Sequence, residues 1–106
     1  EVSIVVYTEK TLYAPNVFTP NGDNINDIWY LQGKGNGRIE RLDIYNRWGG
    51  LVYRAPSDNL VNDRTVGWDG RVGGRDAEAA VYTWVAEIRY LDDVVEVLSG
   101  DITLLR

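Results

Sequence analysis

The chain has 106 residues, a net charge of −5 at pH 7, and neither cysteine nor histidine. A chain of this length forms one domain with a single core. The composition excludes disulfides, thiolate metal sites and histidine-based catalysis, and the acidic balance argues against nucleic-acid binding. No stretch approaches the ~20 apolar residues of a transmembrane helix, and the first residues lack the basic and apolar regions of a signal peptide.

The N-terminal part of the chain predicts short strands on either side of a polar loop. Residues 3–8 predict a lead-in strand within residues 1–14, and residues 28–31 form a second short apolar run. Between them, residues 21–27 hold five Asn or Asp side chains and one Gly. Asn and Asp bond to their own backbone, so this segment predicts a tight loop. Prolines at both ends of residues 15–20 predict an edge or loop position there.

The loop at residues 21–27 has two interpretations. The first is a loop held by Asx turns, in which side chains bond to neighbouring backbone groups. The second is a calcium site, because oxygen ligands at alternate positions are typical of calcium loops: the side chains of Asn21, Asp23 and Asp27 with the carbonyl of Ile25. The segment lacks the acidic residues that an EF-hand has on either side, so we prefer the Asx turns. Calcium is the one cofactor that the sequence leaves open.

The middle of the chain predicts a β-hairpin and a loop. Residues 38–46 alternate between apolar and polar side chains, and Asp43 falls on the polar face. After a turn with two glycines, residues 51–54 predict the return strand. The polar residues 55–66 predict a surface connection.

The C-terminal part predicts the longest strand, over residues 80–90. Its core face carries Tyr82, Trp84, Ala86, Ile88 and Tyr90. Beyond an Asp-Asp turn, residues 94–98 predict another strand, Ser99-Gly100 predicts a turn, and residues 102–105 predict a final strand. Strands separated by Gly, Asn and Asp turns predict an antiparallel sandwich.

Two tryptophans lie at predicted turns. Trp48 follows Arg47 at the hairpin tip, where it either folds back onto the core or forms an exposed binding anchor. Trp68, in a Trp-Asp-Gly turn, is predicted to plug one end of the sandwich. An aromatic pair could instead stack on sugar rings, so a carbohydrate-binding or adhesive module is the alternative function. Carboxylate pairs occur, but no serine has a histidine to activate it and no glycine-rich phosphate loop is present, so we predict no enzyme.

Five motifs in order resemble one protein family. Residues 15–27, PNVFTPNGDNIND, are very similar to the start of the gliding-motility-associated C-terminal domain of Bacteroidetes, the type B sorting domain of the type IX secretion system. Four later motifs follow in the family's order: IYNRWG, GWDG, VYTW and the terminal GDITLLR. The resemblance covers residues 15–106. Asn24 departs from the glycine usual there, and Ala79-Ala80 replaces a usual Pro or Gly.

The resemblance implies a non-catalytic C-terminal sorting signal. The cargo lies N-terminal in the same polypeptide and reaches the periplasm by an upstream signal peptide. Outer-membrane proteins of the type IX system then recognise the folded domain and send the protein to the cell surface or the medium. Together with the strand pattern, the resemblance predicts one domain over residues 1–106, an antiparallel immunoglobulin-like β-sandwich of seven or eight strands, with Arg106 as the natural end.

Two recognition surfaces follow as hypotheses. One is an exposed edge strand near residues 101–106, and the other is the loop end that holds residues 21–27 and Trp48. The candidate partner-binding residues are Arg47, Trp48, Trp68, Gly100, Ile102, Thr103, Leu104, Leu105 and Arg106.

Overall fold

The computed structural model describes residues 12–20, 27–33, 37–56, 59–90 and 93–106. Within these ranges the chain is all-β, as predicted, with one short 3₁₀ turn at Arg64–Val66. The strands are β1 (Leu12–Tyr13), β2 (Val17–Phe18), β3 (Gln32–Gly33), β4 (Arg38–Tyr45), β5 (Leu51–Arg54), β6 (Asn59–Leu60), β7 (Arg71–Val72), β8 (Arg75–Asp76), β9 (Ala80–Arg89) and β10 (Val95–Leu104). Six of these ten have only two residues, so the described part contains more and shorter strands than the seven or eight predicted.

The longer strands form one central sheet in the order β2-β10-β9-β4-β5, with β6 also pairing with β4. The pairs β10–β9 and β9–β4 are antiparallel. Consequently the end of β4, the start of β9 and the end of β10 lie at the same end of the sheet. Strand β2 pairs in parallel with the last two residues of β10 and forms an edge, as the flanking prolines predict. Strands β1 and β3, and β7 and β8, form two small separate sheets.

Strand β9 lies at the centre of the sheet and contributes much of its inner face. All five predicted core residues, at alternate positions from 82 to 90, are buried. The ring of Trp29 packs 5.7 Å from that of Trp84, and the ring of Trp68 packs 5.1 Å from that of Tyr82. Segments outside the central sheet therefore cover its inner face and close the core.

The turn predicted at Ser99-Gly100 is wrong. Strand β10 runs without a break from Val95 to Leu104, and Gly100 pairs with Trp84 of β9. A Cβ atom at Gly100 would lie 2.8 Å from the indole Nε1 of Trp84. The glycine therefore makes room for a ring inside a strand, a use that the local sequence does not distinguish from a turn.

Asp43 lies on the outer face of β4, as the alternation predicts, yet it is only 1% exposed. The side chains that cover it also bond to it: the Nε atoms of Arg41 and Arg54 each donate to its carboxylate at 2.8 Å, and the Tyr45 hydroxyl donates at 3.1 Å. These bonds, above all those from Arg54, lower the pKa of Asp43 to about 2 against the effect of burial. The carboxylate thus joins the two strands of the β4–β5 hairpin.

The described part of the connection at residues 55–66 has more regular structure than the predicted surface loop. It contains β6 and the 3₁₀ turn, and it buries Ala55, Val61 and Val66. The side chain of Asp63 caps the 3₁₀ turn by accepting from the Thr65 N–H. The strand predicted at residues 3–8 lies outside the described residues.

Candidate recognition surface

The tip of the β4–β5 hairpin is held by its own side chain–backbone bonds. The Asn46 Oδ1 accepts from the N–H of Trp48 at 2.9 Å and from the N–H of Gly50 at 2.8 Å. Gly49 adopts a φ of 85°, which a residue with a Cβ rarely does. The turn therefore has a defined backbone without any support from the side chain of Trp48.

Trp48 projects from this turn and is 79% exposed. The guanidinium of Arg47 lies 5.0 Å from the centre of its ring, a cation–π contact. Arg47 also lies 4.0 Å from the carboxylate of Glu78. The ring is therefore exposed and does not fold back onto the core, and its role as a binding anchor stays a prediction.

A groove of about 230 Å³ runs beside the tip. Aliphatic and aromatic side chains form much of its wall, with the polar groups of Asn46, Arg47 and Glu78 among them; the apolar members are Trp48, Val52, Val72, Ala77, Ala80 and Tyr82. The Tyr82 hydroxyl donates to the carbonyl of Glu78 at 2.7 Å. Burial raises the pKa of Tyr82, and the charge of Glu78 adds to the rise, so the hydroxyl stays protonated and the bond persists.

The C-terminal residues lie at the same end of the sheet. The Arg106 Nε donates to the Ala77 carbonyl at 2.9 Å, and its Nη2 donates to the Gly70 carbonyl at 2.8 Å. The N–H of Leu105 donates to the Phe18 carbonyl at 3.0 Å, while its side chain is exposed. Because Ala77 also lines the groove at the hairpin tip, Arg106 is tied to the same region. The end surface is defined here as Arg47, Trp48, Glu78, Leu105 and Arg106.

The other candidate residues do not reach this surface. Trp68, Ile102 and Leu104 are buried completely, and Gly100 is packed against an indole ring inside the sheet. Thr103 is half-buried on the outer face, where its neighbours across the strands are valines. Buried residues of this kind can affect a partner only through the fold that they support.

The aromatic pair required by the carbohydrate alternative does not form. All four tryptophans are described, and Trp29, Trp68 and Trp84 are buried, which leaves Trp48 as the one exposed indole. No two exposed tryptophans therefore share a face of the domain. The structure therefore provides no specific support for this alternative.

The calcium prediction falls mostly on undescribed residues. Asn21, Asp23 and Ile25 lie outside the described residues, and Asp27 is half-buried. Within the ranges that the structure describes, no group of three or more His, Cys, Asp or Glu residues could hold a metal ion. A calcium site at residues 21–27 stays a prediction.

Sequence reasoning missed three contributors to the end surface. Asn46 fixes the hairpin tip, and an Asn two residues before a Trp-Gly-Gly turn is a readable signal for such a cap. Glu78 and one of the carbonyls that bind Arg106, that of Ala77, come from the segment between β8 and β9, and the other carbonyl, that of Gly70, precedes β7. These contacts of Arg106 span 29 and 36 residues, and no local pattern indicates them.

Comparison with known proteins identifies the chain. In its described part, no helix is long and apolar enough to cross a membrane. A comparison with curated proteins gives no match. A family model, the CHU_C Type IX secretion signal domain, matches residues 12–103, which include every strand from β1 to β9 and most of β10. This match agrees with the resemblance found in the sequence motifs, and the chain therefore belongs to the CHU_C family of type IX secretion signal domains, which are sorting signals and not catalytic domains.

Proposed function

We propose that this domain is the part of its polypeptide that outer-membrane proteins of the type IX secretion system bind. Binding commits the N-terminal cargo to transport from the periplasm to the cell surface or medium. Membership of the signal-domain family supports the sorting role. The observation that carries the recognition step is the rigid presentation of Trp48, 79% exposed, at the end of the sheet that also holds Arg106.

The end surface has the composition of a protein-binding site. Trp and Arg are enriched among the residues that dominate binding energies, and Arg47 and Trp48 lie side by side. The tip is already fixed by Asn46, so little conformational entropy is lost when a partner binds. The adjacent groove offers apolar surface that a partner side chain can fill.

We also propose that the architecture is an immunoglobulin-like sandwich. The N-terminal stretch divides between two sheets, since β1 pairs with β3 while β2 pairs with β10. The core lies between the inner face of the central sheet and the segments that carry Trp29 and Trp68. Both features are typical of sandwiches in which two sheets enclose one core. An experimental structure that showed a single open sheet would contradict this assignment.

An export assay tests the function. A signal peptide and a fluorescent reporter are joined ahead of residues 1–106 and expressed in a host with the type IX system, and in one that lacks it. We expect reporter outside the cell only in the first host. Replacing both Arg47 and Trp48 with Ala is expected to lower export at least tenfold, because the anchor is lost while the fold remains.

The matched control is Leu60→Ala, which removes an exposed apolar side chain from β6. It is expected to leave export unchanged. Thermal melts of the purified domains check that all variants fold. Equal export from both hosts would refute the sorting role, and full export of a folded Arg47/Trp48 double variant would refute the end surface as the recognition site.

A further inference from the structure

Among the residues that the structure describes, one side of strand β10 is unpaired over most of its length. Along its length it pairs with β9, but on the opposite side its only partner among the described residues is β2, through Thr103 and Leu104. On that side the Thr103 N–H donates to the Asn16 carbonyl, at 2.7 Å. Backbone groups alternate in direction along a strand, so those of Val95, Val97, Ser99 and Asp101 point the same way, towards the open side. The open edge is defined here as residues 95–101.

This edge lacks several of the features that usually prevent strand addition. Natural edge strands are blunted by proline, by charged side chains, above all lysine, by bulges or by short length. Residues 95–101 contain neither proline nor lysine, and β10 pairs with β9 without a register shift over ten residues. Val97 is 65% exposed on this edge. The edge is therefore long, regular and partly apolar.

The charge of the edge limits what can bind it. Residues 93–101 carry Asp93, Glu96 and Asp101 and no basic side chain. A second copy of the chain is a poor partner, because it would bring the acidic side chains of two edges together with no basic side chain on either edge. Like charges repel one another across a pair of strands. A cationic strand is complementary instead.

We propose that the open edge of β10 accepts an extended segment of the secretion machinery as an added strand. The segment has apolar residues at alternate positions, which pack beside Val95 and Val97, and a Lys or Arg opposite Asp101. Backbone hydrogen bonds to the outward-pointing groups supply affinity, and the side chains supply selectivity. This inference rests on the proposed function, since it names the kind of segment by which the machinery holds the domain.

A defined peptide tests the edge directly. The probe is a capped heptapeptide, Lys-Thr-Val-Thr-Val-Thr-Val, whose Lys and valines share one face, mixed with the full chain, and binding is followed by anisotropy of a dye on the peptide. Amide hydrogen exchange read by NMR locates the contact. We expect slowed exchange at Val95, Val97, Ser99 and Asp101. The same peptide with Glu in place of Lys is expected to bind at least tenfold more weakly.

Two variants and one control sharpen the result. Ser99→Pro removes an outward N–H and spares the bonds to β9, and Asp101→Lys reverses the charge; each is expected to weaken binding at least tenfold. If the proline variant fails to fold, Asp101→Lys alone decides. The control is Val81→Lys, an exposed valine on β9 inside the sheet, which is expected to bind as the unaltered chain does. Three outcomes would overturn the inference. The four amides show no slowed exchange, or the Glu peptide binds as tightly as the Lys peptide, or the chain forms dimers that protect the same amides without any peptide.

The export assay separates this inference from the proposed function. If the unaltered fusion is exported and a folded Asp101→Lys fusion is exported equally well, the edge is not used and the inference fails while the sorting role stands. If the unaltered fusion is not exported by a host with the type IX system, the sorting role fails. Loss of export in Asp101→Lys with normal export of Val81→Lys supports the edge.

Discussion

Two turns of this molecule carry a tryptophan next to glycine, and they use it in opposite ways. At the tip of the β4–β5 hairpin, Trp48 is 79% exposed, whereas Trp68, which lies between two glycines, is fully buried. The two segments share tryptophan and glycine, so composition does not distinguish them. What differs is where the backbone of each turn finds its hydrogen bonds.

The turn at Trp48 is bonded locally, and the turn at Trp68 is bonded across the fold. At the hairpin tip, the side chain of Asn46 accepts hydrogen bonds from two backbone N–H groups of the same turn. The backbone N–H of Trp68 donates to the Trp29 carbonyl at 2.8 Å, and the backbone N–H of Trp29 donates to the Trp68 carbonyl at 2.9 Å. The indole N–H of Trp68 donates to the Arg71 carbonyl. Long-range backbone pairing draws the side chain into the core, while local pairing leaves it free for a partner.

The largest effect is expected from Trp68→Ala. Loss of this ring removes its contacts with Phe18 and Tyr82 and leaves a cavity in the core. Such truncations cost about 3–5 kcal/mol in the free energy of unfolding, enough to unfold many small domains. Urea unfolding followed by far-UV circular dichroism measures the cost, with Trp68→Phe as the milder control. A loss below about 1 kcal/mol would show that the buried turn contributes as little as the exposed one.

The base of the exposed hairpin is expected to weaken in acid. The pKa of Asp43 is lowered from 3.8 to about 2 in the folded state, so its ion pairs stabilise the fold above about pH 4 and are lost as the pH falls towards 2. A shift of this size corresponds to about 2 kcal/mol. Urea unfolding of the unaltered chain and of Asp43→Asn at pH 6 and pH 2.5 measures this loss. The free energy of unfolding of Asp43→Asn is expected to fall less between the two pH values than that of the unaltered chain. Equal pH dependence of the two proteins would contradict the role of Asp43.

The sequence predicted those parts of the fold that depend on alternation along one strand. The inner face of β9 and the return strand Leu51–Arg54 are where the pattern places them. The continuity of β10 was missed because Ser99-Gly100 has the composition of a turn, and only the position of Trp84 explains the glycine. The burial of Asp43 was missed for a similar reason, since its partner Arg54 is brought to it by the hairpin.

The same limit applies to the candidate site. The motif around Trp48 could be recognised in the sequence, but its exposure could not, because exposure depends on whether other segments pair with the turn. The placement of Arg106 beside the groove depends on carbonyls 29 and 36 residues away. The sequence pattern therefore identifies which residues are unusual, and the tertiary hydrogen bonds determine whether those residues are exposed or buried.

A smaller effect is expected when the local bonding of the exposed turn is removed. Asn46→Ala deletes the acceptor for two backbone N–H groups, which are then satisfied by water, so we expect a loss of about 1 kcal/mol in the free energy of unfolding. Amide exchange at Trp48 and Gly50 is expected to become faster, because the tip is no longer fixed. Asn46→Asp keeps an acceptor oxygen and serves as the control. Unchanged exchange in the Ala variant would mean that the tip is held by other contacts.

The smallest effect on stability is expected from Trp48→Ala, and this makes it the sharpest test of the comparison. An exposed ring buries little area, so the free energy of unfolding is expected to change by no more than about 0.5 kcal/mol. The fraction of the tryptophan fluorescence that acrylamide can quench readily is expected to disappear, since the three remaining indoles are buried. A loss of more than about 1.5 kcal/mol, with unchanged quenching, would mean that the ring packs on the domain in solution. Trp48 would then resemble Trp68, and a structural role would account for it without any partner.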